Sequence, residues 1–294
     1  MNLPNVEMYD SVCIGGAGVR GICELGALHY YVKSLRLDTS MITTYTGTSV
    51  GAGIALLLLV GYSPIEIFYY VTKVEQWIDL TSVDVFGIHK DFGLFDVHVL
   101  TDHVAHLIER KLGCIPTLKQ LHDFTLKRFA ATVVNMTRSC IEYADHITYP
   151  DLSCVEAVAM SCAIPLIFKR ITYNDSHYVD GGLLDNLPIG ALSPNSRALI
   201  VCVSEKFSQE CVNAALGHLH ALSSLPIQQN QSKTIESLPK DHRHTLVKIL
   251  LEDGPSAIDF NIKKQKRYDL FCVGYRAAKE TIRSEKALRK SKID

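Results

Sequence analysis

Two glycine-rich segments and one aspartate have the residue types and spacing that acyl-transfer chemistry needs. The first segment is GTSVG, Gly47 to Gly51, which fits the pattern GxSxG for a serine on a sharp turn between a strand and a helix. The small flanking residues Gly47 and Gly51 make such a turn sterically possible. The N-terminus of the following helix favours developing negative charge, so Ser49 is the candidate nucleophile.

A second glycine-rich loop, GGAGVRG, precedes this serine at Gly15 to Gly21. Its small residues let backbone N–H groups converge on the oxyanion of a tetrahedral intermediate without obstruction by side chains. Gly16, Ala17 and Gly18 are the candidate donors. The loop therefore predicts an oxyanion hole beside Ser49.

The same loop also allows a different function, because Gly16, Gly18 and Gly21 spell the dinucleotide fingerprint GxGxxG. That fingerprint requires an acidic residue at the C-terminal end of the second strand, where it binds the ribose. Asp38 lies at a suitable distance along the chain, but it precedes the second predicted strand. A nucleotide-binding module is thus the alternative to acyl transfer.

The third candidate is Asp180, which stands before Gly181 and Gly182 in the segment YVDGGLLDNLP. A carboxylate here can be brought beside Ser49 by the fold, and two glycines let the backbone turn closely under the nucleophile. The same three residues are also common in ordinary turns. Their position after the two glycine motifs favours the interpretation that Asp180 is the base for the serine.

The elements that must position these residues alternate between strands and helices. Ser11–Ile14 and Met41–Thr46 are short β-prone runs, and each leads into a glycine turn. Apolar residues recur at helical spacing from Ile22 to Leu35, and an apolar run to Val60 follows GTSVG. A repeated order of strand, turn and helix indicates parallel strands joined by crossover helices. We predict an α/β fold with a mostly parallel central sheet and helices on both faces, in three α/β/α layers.

Residues 1–205 are predicted to form the catalytic core, and residues 206–294 a C-terminal lid or loop and a basic helical tail packed on the same domain. The further core elements are strands at Arg128–Asn135 and Ala198–Ser204 and a helix at Leu152–Cys162. Between Leu222 and His244 the composition is polar, two prolines occur and hydrophobic periodicity fades. These features predict a mobile loop or lid.

Charge is concentrated at the C-terminus. Among 294 residues, 30 basic side chains nearly balance 31 acidic ones, so no global field favours binding to nucleic acid. From Asn261 onward there are 11 Lys and Arg against 4 Asp and Glu, which gives this segment a charge of +7. Basic residues combined with Phe271, Val273 and Tyr275 predict peripheral contact with anionic lipid, with a solvated helix face as the alternative.

Several features bear on location and cofactors. Nine cysteines without CxxC pairs indicate a reducing compartment, and the opening MNLPNVEMYD lacks the features of a secretory signal. The longest apolar run, Ile54–Val60, is too short to span a bilayer. We expect a cytoplasmic or other intracellular protein whose membrane contact is peripheral. No dense carboxylate, His or Cys cluster predicts a metal site, and no cofactor is expected.

Together the three motifs resemble the patatin-like phospholipase family. The family's glycine loop, GxSxG serine and DG[GA] aspartate correspond to GAGVRG (Gly16–Gly21), GTSVG and DGG (Asp180–Gly182). Val155–Phe168 is similar to the family's helix and proline segment before the aspartate, and the resemblance covers Ser11 to Val203. One position departs from the pattern. Ala17 replaces the middle glycine of the loop, which costs about 1 kcal/mol if that position needs a positive φ.

The resemblance implies a serine lipid acyl hydrolase of the phospholipase A type, in which Ser49 and Asp180 form a catalytic dyad without histidine or metal. Its substrates would be phospholipids or other acyl lipids, and transacylase or triacylglycerol lipase activity would use the same dyad. Arg20 would stabilise the glycine loop or contact a lipid phosphate. The histidines that follow Asp180 are predicted to be surface residues: His218, His220, His242 and His244.

Overall fold

The predicted repeat of strand, turn and helix opens the chain. The computed structural model describes residues 9–79, 92–205, 215–239, 243–252 and 254–290. Strand β1 (Ser11–Ile14) leads through the glycine loop into helix α1 (Gly21–Lys33), and β2 (Thr44–Thr48) leads through Ser49 into α2 (Val50–Leu59). The second strand begins later than predicted and includes Gly47 and Thr48, so the serine directly follows its last residue.

Six further helices and eight further strands complete the described part of the fold. The helices are α3 (Pro64–Lys73), α4 (His98–Leu112), α5 (Leu118–Thr125), α6 (Cys154–Cys162), α7 (Ala215–Glu236) and α8 (Lys264–Lys290). The strands are β3 (Gly93–Phe95), β4 (Arg128–Asn135), β5 (Cys140–Ala144), β6 (Leu166–Phe168), β7 (Ile171–Tyr173), β8 (Ser176–Asp180), β9 (Ala198–Glu205) and β10 (Thr245–Leu251).

Eight of the strands form one mixed sheet with helices on both sides, which confirms the predicted fold class. The strand order is β10-β9-β1-β2-β4-β8-β7, with β5 paired to β4. From β10 to β4 the neighbours are parallel, as the crossover connections require, while β5, β7 and β8 pair antiparallel. Strands β3 and β6 form a separate parallel pair.

The prediction of a loop or lid between Leu222 and His244 is wrong, because most of this segment is helical. Helix α7 continues through Glu236, with Pro226 inside it, and β10 begins at Thr245. The sequence hides this helix because polar residues lie on its inner face. Gln231 is only 4% exposed and donates from Nε2 to the carbonyl oxygen of Val203 at 2.9 Å. A helix anchored through a buried amide lacks the apolar periodicity that identifies a helix.

The basic tail is helical, but its apolar residues face the protein. Phe271 is buried and stacks on Phe68, with ring centroids 4.1 Å apart, and Tyr275 meets Tyr30 edge-on. Helices α1 and α8 pack so closely that a Cβ on Gly274 would lie 1.7 Å from the carbonyl oxygen of Cys23. The apolar set in this tail therefore belongs to the protein interior. Among the described residues, no helix is long and apolar enough to cross a membrane.

Candidate active site

Ser49 occupies a strained turn at the junction of β2 and α2. Its φ is +55° and its ψ −129°, a backbone conformation that non-glycine residues rarely adopt. The flanking glycines are required sterically. A Cβ on Gly47 would lie 2.4 Å from backbone atoms of Gly51, and a Cβ on Gly51 would lie 2.3 Å from the carbonyl oxygen of Gly15. The turn thus presents Ser49 at the N-terminus of α2, as the GxSxG pattern predicts.

The strand β4 brings Asp180 to this turn through its register. Strand β5 occupies one edge of β4, and the other edge is shared by β2 and β8. Thr48, the last residue of β2, pairs with Thr132, and Asp180, the last residue of β8, pairs with the next residue, Val133. Because β2 and β8 run towards each other along one edge, their last residues meet. Ser49 and Asp180 are neighbours for this reason.

Burial and hydrogen bonding set the protonation of Asp180. The residue is 5% exposed, and removal from water raises the pKa of its carboxyl group from 3.8 to about 6. The Gly182 N–H, which donates to Oδ1 at 2.7 Å, and the neighbouring Ser49 hydroxyl oppose this rise because they favour the carboxylate. With a pKa of about 6, Asp180 is mostly ionised at neutral pH, and its carboxylate lies beside the serine.

The glycine loop lies beside Ser49, but its three N–H groups are not equivalent. The N–H of Gly16 donates to the carbonyl oxygen of Asn186 at 3.0 Å. Among the described residues, the N–H groups of Ala17 and Gly18 have no acceptor. Ala17 and Gly18 are thus the members of the predicted set that can donate to an oxyanion, while Gly16 holds the loop in place.

Ala17, which replaces the loop's middle glycine, does not need a positive φ and therefore causes no backbone strain. Ala17 has a φ of −145°, outside the left-handed region. The neighbouring Gly18 does need glycine, because its φ is +57° and a Cβ there would lie 2.1 Å from the carbonyl oxygen of Ala257. The N–H of Ala17 therefore remains where a glycine would present it.

Arg20 is buried behind the loop. Its side chain is 8% exposed, and Nε donates to the carbonyl oxygen of Ala17 at 3.2 Å. The Ala17 carbonyl and the Gly18 N–H belong to one peptide group. This contact therefore fixes the orientation of the Gly18 N–H. Arg20 also forms part of the cavity wall near Ser49. The observed contact favours the loop-stabilising role among the two predicted for this residue.

Two supporting residues, Ser161 and Asn186, were not predicted from the sequence. The N–H of Ser49 donates to Oγ of Ser161 at 2.8 Å, and that hydroxyl donates to the carbonyl oxygen of Thr132 at 2.6 Å. Asn186 donates from Nδ2 to the carbonyl oxygen of Gly16 at 2.9 Å and to Gln231 at 2.6 Å. Ser161 thus fixes the serine turn, and Asn186 ties the glycine loop to α7. The segment DGGLLDNLP, which contains Asn186, was the available signal.

Two adjoining cavities meet at Ser49, and both include Gly18 and Ile164 in their walls. We call the smaller one the polar cavity because Asp180 and Gln231 lie in its wall, together with the glycine loop and several apolar side chains. The apolar cavity has a volume of about 1010 Å³ with its open mouth, and aliphatic side chains of α1, α2, α3, α4 and α6 line it. Ser49 therefore stands between a polar space and a hydrocarbon-lined space, which suits an ester with an apolar acyl group.

The structure provides no histidine partner for Ser49 among the described residues. None lines the polar cavity, and His103 in the apolar cavity is hydrogen-bonded from Nδ1 to the Tyr70 hydroxyl at 3.0 Å. His242 and the side chains of His218 and His220 lie outside the described part. His244 lines neither cavity.

The nucleotide-binding alternative lacks the acidic residue that it needs in this region. Asp38 lies before β2, whereas the glycine loop follows the opposite, C-terminal end of the parallel strand β1. The C-terminal end of β2, where ribose recognition needs an acid, carries Ser49 instead. Within the described ranges, no group of three or more His, Cys, Asp or Glu residues could hold a metal ion.

Comparison with known proteins agrees with this geometry. A sequence profile described as patatin-like phospholipase matches residues 12–193, which include the glycine loop, Ser49 and Asp180. The chain belongs to the patatin-like phospholipase family. The resemblance inferred from the three motifs is thus confirmed.

Relatives of this patatin-like chain include named lipid hydrolases. Over 186 residues it is 29% identical to the probable lipid hydrolase 463L of Invertebrate iridescent virus 6, which covers 62% of this chain and 63% of the viral protein. Over 196 residues it is 26% identical to lysophospholipase NTE1 of Meyerozyma guilliermondii, which covers 65% of this chain and 12% of that protein. The match therefore spans less than two thirds of each relative.

One solved structure shares the fold over most of this patatin-like chain. The crystal structure of VipD from Legionella pneumophila aligns with a TM-score of 0.60 at 16% identity. The alignment covers 94% of this chain and 67% of VipD. At this identity the similarity concerns the fold alone. It extends past residue 193 into the C-terminal region that the family profile does not match.

Proposed function

We propose that this protein is a serine acyl hydrolase of the phospholipase A type, which cleaves carboxylic esters of phospholipids or other acyl lipids through Ser49 and Asp180. The observation that carries the proposal is that Ser49 and the buried carboxylate of Asp180 lie together in one cavity wall, at the border of an apolar cavity. A buried base with a raised pKa, next to a serine on a strained turn, is the arrangement that nucleophilic catalysis requires.

In the proposed mechanism, Ser49 Oγ attacks the ester carbonyl carbon while Asp180 accepts the hydroxyl proton. The N–H groups of Ala17 and Gly18 donate to the oxyanion of the tetrahedral intermediate. Collapse of that intermediate releases the alcohol, which takes the proton from Asp180, and leaves the acyl group on Ser49. Water then attacks the acyl-enzyme while Asp180 accepts one of its protons. As the bond between the acyl carbon and Ser49 Oγ breaks, Asp180 returns that proton to Oγ, and the fatty acid leaves with the free serine restored.

Labelling with a fluorophosphonate tests this proposal without knowledge of the lipid. The wild-type protein should react and Ser49→Ala should not, because the probe needs an activated serine. Single alanine variants of His218, His220, His242 and His244 should retain most ester hydrolysis. An indispensable histidine would replace the dyad by a triad, and failure of the wild type to react or to hydrolyse any ester would remove the proposal.

The rate of ester hydrolysis should depend on pH through Asp180. The residue must be ionised to accept the serine proton, and burial raises the pKa of its carboxyl group to about 6. We therefore expect kcat/KM for a soluble ester to fall below pH ~6, by about tenfold for each further pH unit. A pH–rate profile between pH 4.5 and 8 measures this. A rate that stays constant down to pH 4.5 would exclude Asp180 as the base.

We further propose an intracellular protein that contacts anionic membranes through exposed basic residues near and on α8. Lys263, Lys264 and Arg276 are exposed, and the cysteines in the described part of the chain are free, which suits a reducing compartment. Because Phe271 is buried, charge rather than apolar insertion supports this contact.

A variant with all three basic residues replaced by Glu should lose co-sedimentation with phosphatidylserine vesicles, since each basic residue contributes about 1 kcal/mol near such a surface. Phosphatidylcholine vesicles are the control and should bind neither protein. Equal sedimentation of the variant and the wild type with anionic vesicles would contradict the proposed contact. Cell fractionation tests the proposed location independently.

A further inference from the structure

The apolar cavity follows one face of α2, starting at the nucleophile. Ser49, in the turn before α2, lines this cavity together with four residues of the helix: Val50, Gly53, Ile54 and Leu57. Their spacing of one, three, one and three residues is that of a single helix face. Leu57 lies eight positions after Ser49, so the cavity extends about 12 Å from the serine at 1.5 Å per residue.

Buried aliphatic side chains line this cavity away from the serine. Leu57 is the lining residue of α2 most distant from Ser49, and it is 5% exposed. Ile67 of α3 and Leu107 of α4 line the same cavity and are equally buried. An extended hydrocarbon advances about 1.3 Å per carbon, given a carbon–carbon bond of about 1.5 Å. A length of about 12 Å therefore holds about ten carbons.

Gly53 leaves the middle of this channel open, and nothing in the fold requires glycine there. A Cβ at this position would meet only Val158 Cγ1 at 3.7 Å and Val104 Cγ2 at 3.8 Å, which are ordinary contact distances. Glycine lowers helix stability by about 1 kcal/mol relative to alanine. The neighbouring Gly51 has a steric reason to be glycine, in its close approach to β1, whereas a Cβ on Gly53 would approach no backbone atom within 4 Å.

We propose that Gly53 is a specificity-determining residue, which lets an unbranched acyl chain of up to about ten carbons lie along α2 between Ser49 and Leu57. This inference rests on the proposed function, because it assigns the acyl group of that substrate to the apolar cavity. Gly53 lies one helix turn, about 6 Å, from Ser49. Acyl groups of two to four carbons therefore stop before it, and longer groups must pass it.

A series of p-nitrophenyl esters from acetate to palmitate, presented in one detergent, measures this selectivity. For the wild type, kcat/KM should rise by about two- to fourfold per methylene, the value for burial of a methylene, up to about ten carbons and then level or fall. Gly53→Leu should reduce the ratio of decanoate to butyrate hydrolysis by at least ~10-fold. Gly53→Ala should have a smaller effect of the same sign. Leu57→Ala should move the optimum to longer chains.

Fluorophosphonate labelling and thermal unfolding of each variant separate blockage of the channel from damage to the site. Gly53→Leu that still reacts with the probe and hydrolyses butyrate, yet keeps the wild-type profile of chain lengths, would overturn the assignment. A wild-type optimum at sixteen carbons would also overturn it. By contrast, a wild-type protein that neither reacts with the probe nor hydrolyses any ester would refute the proposed function itself.

Discussion

Asp180→Asn is expected to lower kcat for ester hydrolysis by about 10²–10⁴-fold, the usual contribution of a general base. Asparagine keeps the size of the side chain, and its Oδ1 can still accept the hydrogen bond that the Gly182 N–H donates to Asp180 at 2.7 Å. The amide cannot take a proton from Ser49. Initial rates with a p-nitrophenyl ester measure the loss, and Asp185→Asn is the matched control.

The control is informative because Asp185 is also partly buried close to the site, but it accepts from the Tyr143 hydroxyl at 2.7 Å rather than from Ser49. We expect this control to affect folding more than the chemical step. Fluorophosphonate labelling per folded molecule should therefore remain in Asp185→Asn and disappear in Asp180→Asn. Near-normal hydrolysis by Asp180→Asn would eliminate Asp180 as the base.

The same Asp180→Asn substitution should stabilise the protein at neutral pH. Burial raises the pKa of Asp180 from 3.8 to about 6 in the folded state, so the unfolded state loses this proton first as pH rises. Wild-type stability therefore falls between pH 4 and 6 by up to about 3 kcal/mol through this group, and the loss persists above pH 6. Asparagine carries no such charge.

Urea unfolding at pH 4.5 and 7.5 tests this effect on stability. The free energy of unfolding of Asp180→Asn should exceed that of the wild type at pH 7.5 by about 1–3 kcal/mol, and the difference should shrink at pH 4.5. A difference that is independent of pH would mean that the ionisation of Asp180 is not its source. Asp180→Asn should therefore lower activity and raise stability, as expected for a base whose ionised form is buried in an unfavourable environment.

Local constraints made the central residues of the site predictable from sequence. The turn at Ser49 needs small neighbours, because a Cβ on Gly47 would lie 2.4 Å from backbone atoms of Gly51. The glycines of the GxSxG pattern are therefore sterically required. The approach of Asp180 to this turn depends instead on the register of β4, which pairs Thr132 with the end of β2 and Val133 with the end of β8. No local pattern encodes that register.

Elements held by polar contacts were the ones that the sequence concealed. The part of helix α7 from Leu222 onward was predicted to be a loop or lid because its inner face contains Gln231, which bonds to Asn186 and Val203 rather than packing against aliphatic residues. The apolar cavity was not foreseen for a different reason. Its wall combines residues from five helices, and a cavity is an absence of side-chain volume, such as that beside Gly53, which periodicity cannot report.

Gly51→Ala is expected to destabilise the protein by about 1–3 kcal/mol or more and to impair hydrolysis strongly. The added Cβ would lie 2.3 Å from the carbonyl oxygen of Gly15 and 2.5 Å from that of Ile14. Both are backbone atoms at the end of β1, so relief of the clash must move the strand end that leads into the glycine loop. Displacement of that loop would misplace the N–H groups of Ala17 and Gly18.

Gly53→Ala is the matched control, because it makes the same substitution on the same helix two residues further along. Its Cβ would meet only side chains at 3.7 and 3.8 Å, and alanine favours the helix by up to about 1 kcal/mol over glycine. Urea unfolding should therefore give changes in the free energy of unfolding of opposite sign for the two variants. Equal effects would show that helix propensity, rather than contact with β1, determines the response of α2. Opposite effects would show that Gly51 is required for close packing under the serine, whereas Gly53 is not required for packing and leaves space along the helix.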